Sequence, residues 1–297
     1  MPHYNVVVIG TGPGGYVAAI RTAQLGLKTA VVEKDELGGT CLNWGCIPTK
    51  SWIVTAHLYE QIKRAKEFGI IVGEPQIDWA LLVARKNKIV KQLTGGVKQL
   101  LSGRQVDIYK GTARLTSANR IAVAKAEGGG SEEITADHII LATGAYAWNP
   151  PGWSLDGERV IGSKEALDLT SQPKRIAILG GGVIGCEFAC FFAAIGTQTT
   201  VIEMLPRLVM AEDEEISAAL EREMKKQKVT LHLGAKVEER RDNADGSISL
   251  TLSGGKTLDV DTVLIATGRR PWSEGLGLDT VGISRADRGK IAVNDRL

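Results

Sequence analysis

Histidines and cysteines are scarce in this 297-residue sequence and long apolar runs are missing, and each shortage removes a class of function. The four histidines, His3, His57, His138 and His232, include no pair at the spacing of a zinc-protease helix. The four cysteines, Cys41, Cys46, Cys186 and Cys190, lack the C-x-x-C arrangement of structural zinc, so no metal is expected. They are also too few and too clustered for the disulfide framework of a small secreted domain. No apolar run reaches the roughly 18 residues of a membrane span, so no membrane partner is expected. Charge of one sign is lacking too: 36 basic and 34 acidic side chains are interspersed, and a net charge of +2 gives no general nucleic-acid surface. Met1 to Tyr4 leads almost directly into the strand-like Val6 to Ile9, leaving no room for a targeting segment. The expectation is cytoplasmic, with an organellar matrix open if a targeting peptide was removed.

What the sequence does have is glycine, 35 residues of it, in a chain 43% apolar and long enough for one large domain or two ordinary ones. The apolar run Val6 to Ile9 is followed by Gly10-Thr11-Gly12-Pro13-Gly14-Gly15, a helix-compatible stretch to Leu25, a short strand Thr29 to Val32, and Glu33. This is the strand, Gly-x-Gly-x-x-Gly, helix, strand, acid order of a dinucleotide-binding unit. Gly10 permits the tight turn, Gly12 lets backbone approach a pyrophosphate, and Gly15 lets helix and strand pack closely. One such fingerprint is weak, because glycine-rich strand-to-helix turns also arise for packing alone.

Here the pattern occurs twice. Ile176 to Leu179 precedes Gly180-Gly181-Gly182-Val183-Ile184-Gly185, a helix-compatible stretch to Ala194, and a strand from Thr199 ending at Glu203. Gly10 to Glu33 and Gly180 to Glu203 both span 23 positions. Each unit also ends alike, Asp137 to Gly144 paralleling Asp261 to Gly268, with Ala-Thr-Gly closing both. Glu33 and Glu203 suit adenosine ribose hydroxyls, and Glu203 disfavours a 2'-phosphate because two anions would meet, so NAD is expected over NADP. Between the fingerprint and the first closing strand lie helical regions around Ser51 to Phe68 and Trp79 to Leu101, then strand-like pieces with a turn at Gly128 to Ser131. Boundaries are expected near Asn149 to Gly152 and after Arg269-Arg270-Pro271.

The run Gly38-Gly39-Thr40-Cys41-Leu42-Asn43-Trp44-Gly45-Cys46-Ile47-Pro48-Thr49-Lys50 carries the most chemistry. A regular helix would place Cys41 and Cys46 about 7.5 Å apart along its axis, too far for an ordinary disulfide. Gly45 would have to permit an irregular turn. On the residues alone, two structural cysteines and a redox pair both stand.

This run, with both fingerprints and both Ala-Thr-Gly turns, resembles the pyridine nucleotide-disulfide oxidoreductases, and most closely the dihydrolipoamide dehydrogenases among them. The resemblance implies an α/β fold with two Rossmann-like FAD/NAD(P)-binding domains of the glutathione reductase type, the first incomplete. Their implied extents are 1-147 for FAD and the redox disulfide, 148-271 for NAD, and 272-297 for a return to the FAD domain. It implies FAD contacts from Gly10, Gly12, Gly15, Glu33, Gly39, Thr40, Thr143 and Gly144, with backbone contact from Ala113 to the adenine. NAD contacts would come from Gly180, Gly182, Ile184, Gly185, Glu203 and Gly268. Cys41 would be the exposed interchange thiol and Cys46 the sulfur facing the flavin, the two forming a redox-active disulfide. Lys50 would sit by flavin N5, paired with Glu187 on the nicotinamide side. Cys186 and Cys190 read as small buried residues instead of a second active pair. Trp44, Trp148 and Trp272 depart from the family's usual choices.

The implied activity is oxidation of dihydrolipoyl groups with NAD, a lipoyl-bearing protein or dihydrolipoamide being the partner. Relatives of this kind are homodimers through a C-terminal interface domain carrying a histidine-glutamate pair. This sequence stops at Leu297, before that domain, so full activity is not expected of it alone. The other readings are a flavoprotein retaining only nucleotide binding or NADH diaphorase activity, and another NAD(P)H-dependent disulfide reductase.

Overall fold

The computed structural model describes residues 1–125 and 129–297. By backbone contacts the chain divides into two compact units, Met1–Ile47 with Ile89–Tyr146 and Arg269–Leu297, and Pro48–Lys88 with Ala147–Gly268. The helices Cys46–Lys63 and Trp79–Ser102 each pass through a unit boundary.

The first unit starts with β1 (His3–Ile9), α1 (Pro13–Gln24) and β2 (Thr29–Glu33), followed by α2 (Gly39–Trp44), α3 (Cys46–Lys63) and α4 (Trp79–Ser102). Strands β3 (Asp107–Ser117), β4 (Arg120–Lys125) and β5 (Ser131–Leu141) complete a closed ring in which β1 lies parallel between β2 and β5, and β2 lies parallel to β3. Both β3 and β5 are long enough to serve two pairings. Asp107–Lys110 of β3 pair with β2, and from Gly111 onward the strand pairs antiparallel with β4. A Cβ on Gly111 would meet the Ala124 carbonyl oxygen at 2.4 Å, so a side chain is excluded where the strand changes partner. The turn expected at Gly128 begins outside the described residues, and Lys125 donates to the Gly130 carbonyl across it.

Strand β1 is an unbroken apolar run because both of its faces are covered. Val6 and Val8 pack with Ala19, Leu42, Val97 and Leu101, while Val7 and Ile9 pack with Ala113, Leu115, Ile121 and Ile134.

After β6 (Ala145–Ala147), the second unit contributes β7 (Val160–Ile161), α5 (Ser163–Ala166), β8 (Arg175–Leu179), α6 (Val183–Ala194), β9 (Gln198–Glu203), α7 (Glu214–Lys226) and β10 (Thr230–Leu233). It ends with β11 (Val237–Asp242), β12 (Ile248–Leu252), β13 (Thr257–Val260) and β14 (Thr262–Ile265), and β15 (Arg269–Pro271) then pairs with β6. A parallel sheet has the order β10-β9-β8-β14-β7, and β11-β12-β13 form an antiparallel sheet packed on one of its faces through Leu179, Ile202, Ile265, Leu250 and Leu252.

The opposite face of the parallel sheet is covered as well. Trp52 and Ala56 of α3 and Leu82 of α4 are buried with Phe188, Phe191 and Phe192 of α6. Residues 48–88 group with the second unit by backbone contacts, and their apolar side chains have their cover there. Arg269–Leu297 joins the first unit: Leu276 and Leu278 are buried with Leu115 and Ile121, and Leu115 donates its amide to the Leu276 carbonyl at 2.8 Å.

Candidate functional site

The two glycine loops are built by the same contacts. Gly10 has φ +97° and a Cβ there would lie 2.3 Å from the Ala142 carbonyl oxygen; Gly180 has φ +110° and would meet the Ala266 oxygen at 2.4 Å. Each Ala-Thr-Gly turn thus packs on the first glycine of its own fingerprint, and the two sequence signals are one contact. Cβ atoms on Gly15 and Gly185 would fall within 2.0 Å of the Gly10 and Gly180 carbonyl oxygens, so helix and loop touch backbone to backbone. Gly12 and Gly182, the N-cap residues of α1 and α6, have nothing within 4 Å of an added Cβ. No side chain caps either helix, whereas Asp213 caps α7. The first-turn amides of α1 and α6 therefore open onto space bordered by bare glycine backbone, a cradle suited to phosphate oxygens.

The acid at the end of each second strand ties the loop together. Glu33, buried, accepts from the Thr11 amide at 2.9 Å, the Thr11 hydroxyl at 2.6 Å and the Asp35 amide at 2.8 Å. Glu203, half-buried, accepts from the Gly181 amide at 2.5 Å and the Leu205 amide at 2.8 Å. Three or fewer of a carboxylate's roughly four lone-pair sites are used, so each retains capacity for a ribose hydroxyl.

In the cysteine segment, Gly38 (φ +92°) donates its amide to the Thr11 carbonyl, and Gly39 (φ +58°) lies so close to Gly12 that a Cβ would be 2.7 Å from its Cα. The cysteine segment is thereby fixed to the first fingerprint. Asn43 secures α2 by donating to the Leu37 and Gly39 carbonyls, both at 2.9 Å. Gly45 ends the helix: its φ of −138° and ψ of −116° are not helical, and a Cβ would be 2.8 Å from the Thr40 oxygen. Helix α3 then begins at Cys46, so the two cysteines stand on different helices. Cys41 is half-buried and Cys46 is an exposed thiol. On the same side of the unit, Thr143 donates its hydroxyl to the Trp272 carbonyl at 2.6 Å and Trp272 returns its amide to the Gly144 carbonyl. The Lys34 ammonium lies 3.0 Å from the Trp272 ring centroid, and Tyr146 meets that ring edge-on. Ala113 is buried in β3 opposite Val123.

Lys50, one turn into α3, donates from Nζ to Glu187 Oε1 of α6 at 2.5 Å. Ile184 and Gly185 lie in the first turn of α6, and Gly268, with φ +126°, accepts at its carbonyl from the Trp148 amide. The Cys186 thiol donates to the Gly181 carbonyl at 3.3 Å, and burial pushes its pKa up to about 12. Cys190 is raised by burial too. Both support the fold as neutral thiols, with Cys186 bracing the second glycine loop. Among the described residues no three His, Cys, Asp or Glu side chains converge as a metal site. The sequence reasoning missed Asn43, whose spacing from Leu37 gives no signal, and Arg269, half-buried beside Thr40.

Residues 4–297 match the family model described as pyridine nucleotide-disulphide oxidoreductase. Over 97% of its length the chain is 40% identical to a dihydrolipoyl dehydrogenase of Chlorobaculum tepidum, covering 62% of that protein. It is 41% identical over 98% of its length to dihydrolipoyl dehydrogenase 3 of Pseudomonas putida, covering 64% of it. The Escherichia coli HOCl-induced flavoprotein disulfide reductase RclA, solved as a Cu(II) complex, superposes on all of the chain with a TM-score of 0.85, 31% identity and 64% of its own length covered. LpdA from Mycobacterium tuberculosis superposes over 99% of the chain with a TM-score of 0.89, 25% identity and 64% of its own length covered. The chain thus spans somewhat under two thirds of these relatives. Paired glycine cradles, each closed by an acid and an Ala-Thr-Gly turn, and a near-complete match to the family model lead to one assignment: the chain belongs to the FAD- and NAD(P)-dependent pyridine nucleotide-disulphide oxidoreductases.

Proposed function

We propose that this chain is the nucleotide-binding and redox portion of an enzyme that oxidises dihydrolipoyl groups with NAD, using FAD and a Cys41–Cys46 disulfide. The observation that carries the reading is the Gly45 break, which puts Cys41 at the middle of one short helix and Cys46 at the start of the next. A single regular helix would hold the sulfurs apart. Activity on a lipoyl substrate is proposed for the whole protein, of whose relatives the chain spans 62% to 64%.

We read the two units as Rossmann-like. Gly10, Gly12, Gly15, Glu33, Gly39, Thr40, Ala113, Thr143 and Gly144 would hold FAD, and Gly180, Gly182, Ile184, Gly185, Glu203 and Gly268 would hold NAD. Bound there, FAD would supply the two-electron relay between nicotinamide and disulfide. Glu203, fixed by two backbone amides, would set a carboxylate against an arriving 2'-phosphate, which favours NAD. Lys50 and Glu187 hold each other in place, the lysine presenting positive charge one turn from Cys46.

In the substrate half, a dihydrolipoyl thiolate attacks Cys41 Sγ, the S–S bond breaks, and Cys46 leaves as a thiolate with the electron pair. The second substrate thiolate attacks the first substrate sulfur, closing the substrate disulfide and releasing Cys41 as a thiolate. Two electrons have moved to the cysteine pair and two protons to bases in solution. Return of the pair to the disulfide delivers those electrons to NAD+ with one proton.

The test is to load the chain with FAD, oxidise its thiols, add NADH without oxygen, and identify newly alkylated cysteines by mass spectrometry. Alkylation of Cys41 and Cys46 only after NADH is expected, and its absence in flavin-loaded protein would rule the reading out. NADH oxidation by an artificial acceptor with both cysteines silent would instead establish a nucleotide-binding or diaphorase module, the second reading.

A further inference from the structure

The turn from Leu37 to Gly39 is built onto the first glycine loop. Gly38 and Gly39 both adopt positive φ, +92° and +58°, so the chain reverses sharply there. Two contacts fasten the turn: the Gly38 amide donates to the Thr11 carbonyl at 3.0 Å, and a Cβ on Gly39 would lie 2.7 Å from the Gly12 Cα. Helix α2, which carries Cys41, starts from this turn.

Helix α2 has six residues, of which only Leu42 is buried, and no side chain caps its N-terminus. A helix that short does not hold itself in water. Across the Gly45 break, α3 has 18 residues and buries Pro48, Thr49, Ser51, Trp52 and Ala56. Where Cys41 stands relative to Cys46 therefore depends on what secures α2. Two neighbouring side chains fold back onto the turn. Leu42 Cδ2 lies 2.8 Å from where a Cβ of Gly38 would be, so the leucine packs on bare backbone. Asn43 Nδ2 donates to the Leu37 and Gly39 carbonyls, both at 2.9 Å. Because two carbonyl oxygens face it, the amide must turn its nitrogen inward, with one N–H for each acceptor.

We propose that Asn43 is a positioning residue for the redox pair: its amide ties the Cys41 helix to the turn anchored on the first glycine loop, and so keeps Cys41 Sγ within reach of Cys46. This rests on the redox reading of the two cysteines above. Each turnover opens the disulfide to two thiols and closes it again. With α2 held by Asn43, the open pair has little freedom left to lose on closing, which raises the effective concentration of one sulfur at the other. Without those two hydrogen bonds the reduced segment gains freedom, and closure becomes less favourable.

The thiol–disulfide equilibrium of the FAD-loaded chain in dithiothreitol buffers, without oxygen, tests this by alkylation and mass spectrometry. Two protein thiols pass two electrons and two protons to oxidised dithiothreitol, so one protein disulfide forms for each dithiothreitol reduced. Asn43→Leu keeps the size of the side chain and removes both donors. It is expected to lower the ratio of disulfide to dithiol about tenfold, the worth of two modest hydrogen bonds. Asn43→Ser, which keeps one shorter donor, is expected to lower it by a smaller step and carries the test should Asn43→Leu fail to fold. A role in stability alone would weaken the oxidised and reduced chains equally and leave the ratio where it is. Ile121→Val, a loss of volume in the core between β1 and β4, is the control: its unfolding midpoint is expected to fall with the ratio unmoved. An unchanged ratio in every folded Asn43 variant overturns the proposal, and so does an equal shift in Ile121→Val. If the unaltered chain forms no Cys41–Cys46 disulfide in any buffer, the redox reading falls and this proposal with it; a disulfide that forms and is indifferent to Asn43 sinks this proposal alone.

Discussion

Glu33 and Glu203 look alike in the sequence and do the same local work, each accepting backbone amides from its glycine loop and from the residue two positions on. Their burial differs, and we propose that Glu203, the more open of the two, sets nucleotide choice. The proposed site is expected to prefer NADH over NADPH by at least about tenfold in equilibrium dialysis, the size of one modest charge interaction, and Glu203→Ser to narrow that preference. Gly45 is the other residue whose identity carries a consequence. An alanine there must displace the Thr40 carbonyl from 2.8 Å, so Gly45→Ala is expected to cost about 1–3 kcal/mol in urea unfolding and to slow closure of the Cys41–Cys46 disulfide, followed by thiol titration.

Among the elements, α6 binds the second unit together. Trp52 of α3 is 1% exposed, its ring centroid 4.6 Å from that of Phe191 and 5.4 Å from that of Trp79. Its indole nitrogen is buried without a hydrogen-bond partner among the described residues. Trp52→Ala is therefore expected to cost about 3–5 kcal/mol. Trp52→Phe should cost less than its lost volume suggests, because it also removes an unsatisfied donor; chemical denaturation of both variants checks the difference. Just before β14, burial alone would raise the Asp261 pKa, but the Arg175 guanidinium and amide outweigh it and hold the carboxyl below its ordinary range. A depressed folded value stabilises the protein above the unfolded pKa of about 3.9, and that stability is lost as pH falls through the lower folded value. Below about pH 4 the native protein should accordingly lose stability more steeply than Asp261→Asn, measured as the unfolding midpoint against pH.

For the whole molecule, the surface holds an apolar stretch that the core does not use. Phe68, Ile70 and Ile71 are 74%, 57% and 95% exposed between α3 and α4. Because these side chains bury little, Ile71→Lys is expected to change stability by no more than about 0.5 kcal/mol, while lowering the binding of a hydrophobic dye in fluorescence titration. The chain's division also depends on where apolar side chains find cover. Residues 48–88 follow the first fingerprint in sequence, yet Trp52, Ala56 and Leu82 pack with α6 of the second unit.

The sequence by itself determined the repeated strand–glycine loop–helix–strand–acid order, because tight turns and close backbone packing admit only glycine at Gly10, Gly15, Gly180 and Gly185, and no compensating contact can replace a forbidden Cβ. It also marked Cys41, Cys46, Lys50 and Glu187, and the Lys50–Glu187 ion pair is present. Tertiary structure alone decided the rest. Ala142 and Ala266 proved to be the partners of Gly10 and Gly180, although each pair is separated by more than 80 residues. Arg269 reached Thr40 from the far end of the chain. Such pairings leave no local pattern, since a carbonyl that fills a Cβ's place or a guanidinium that finds a hydroxyl is selected by spatial proximity and not by spacing along the sequence.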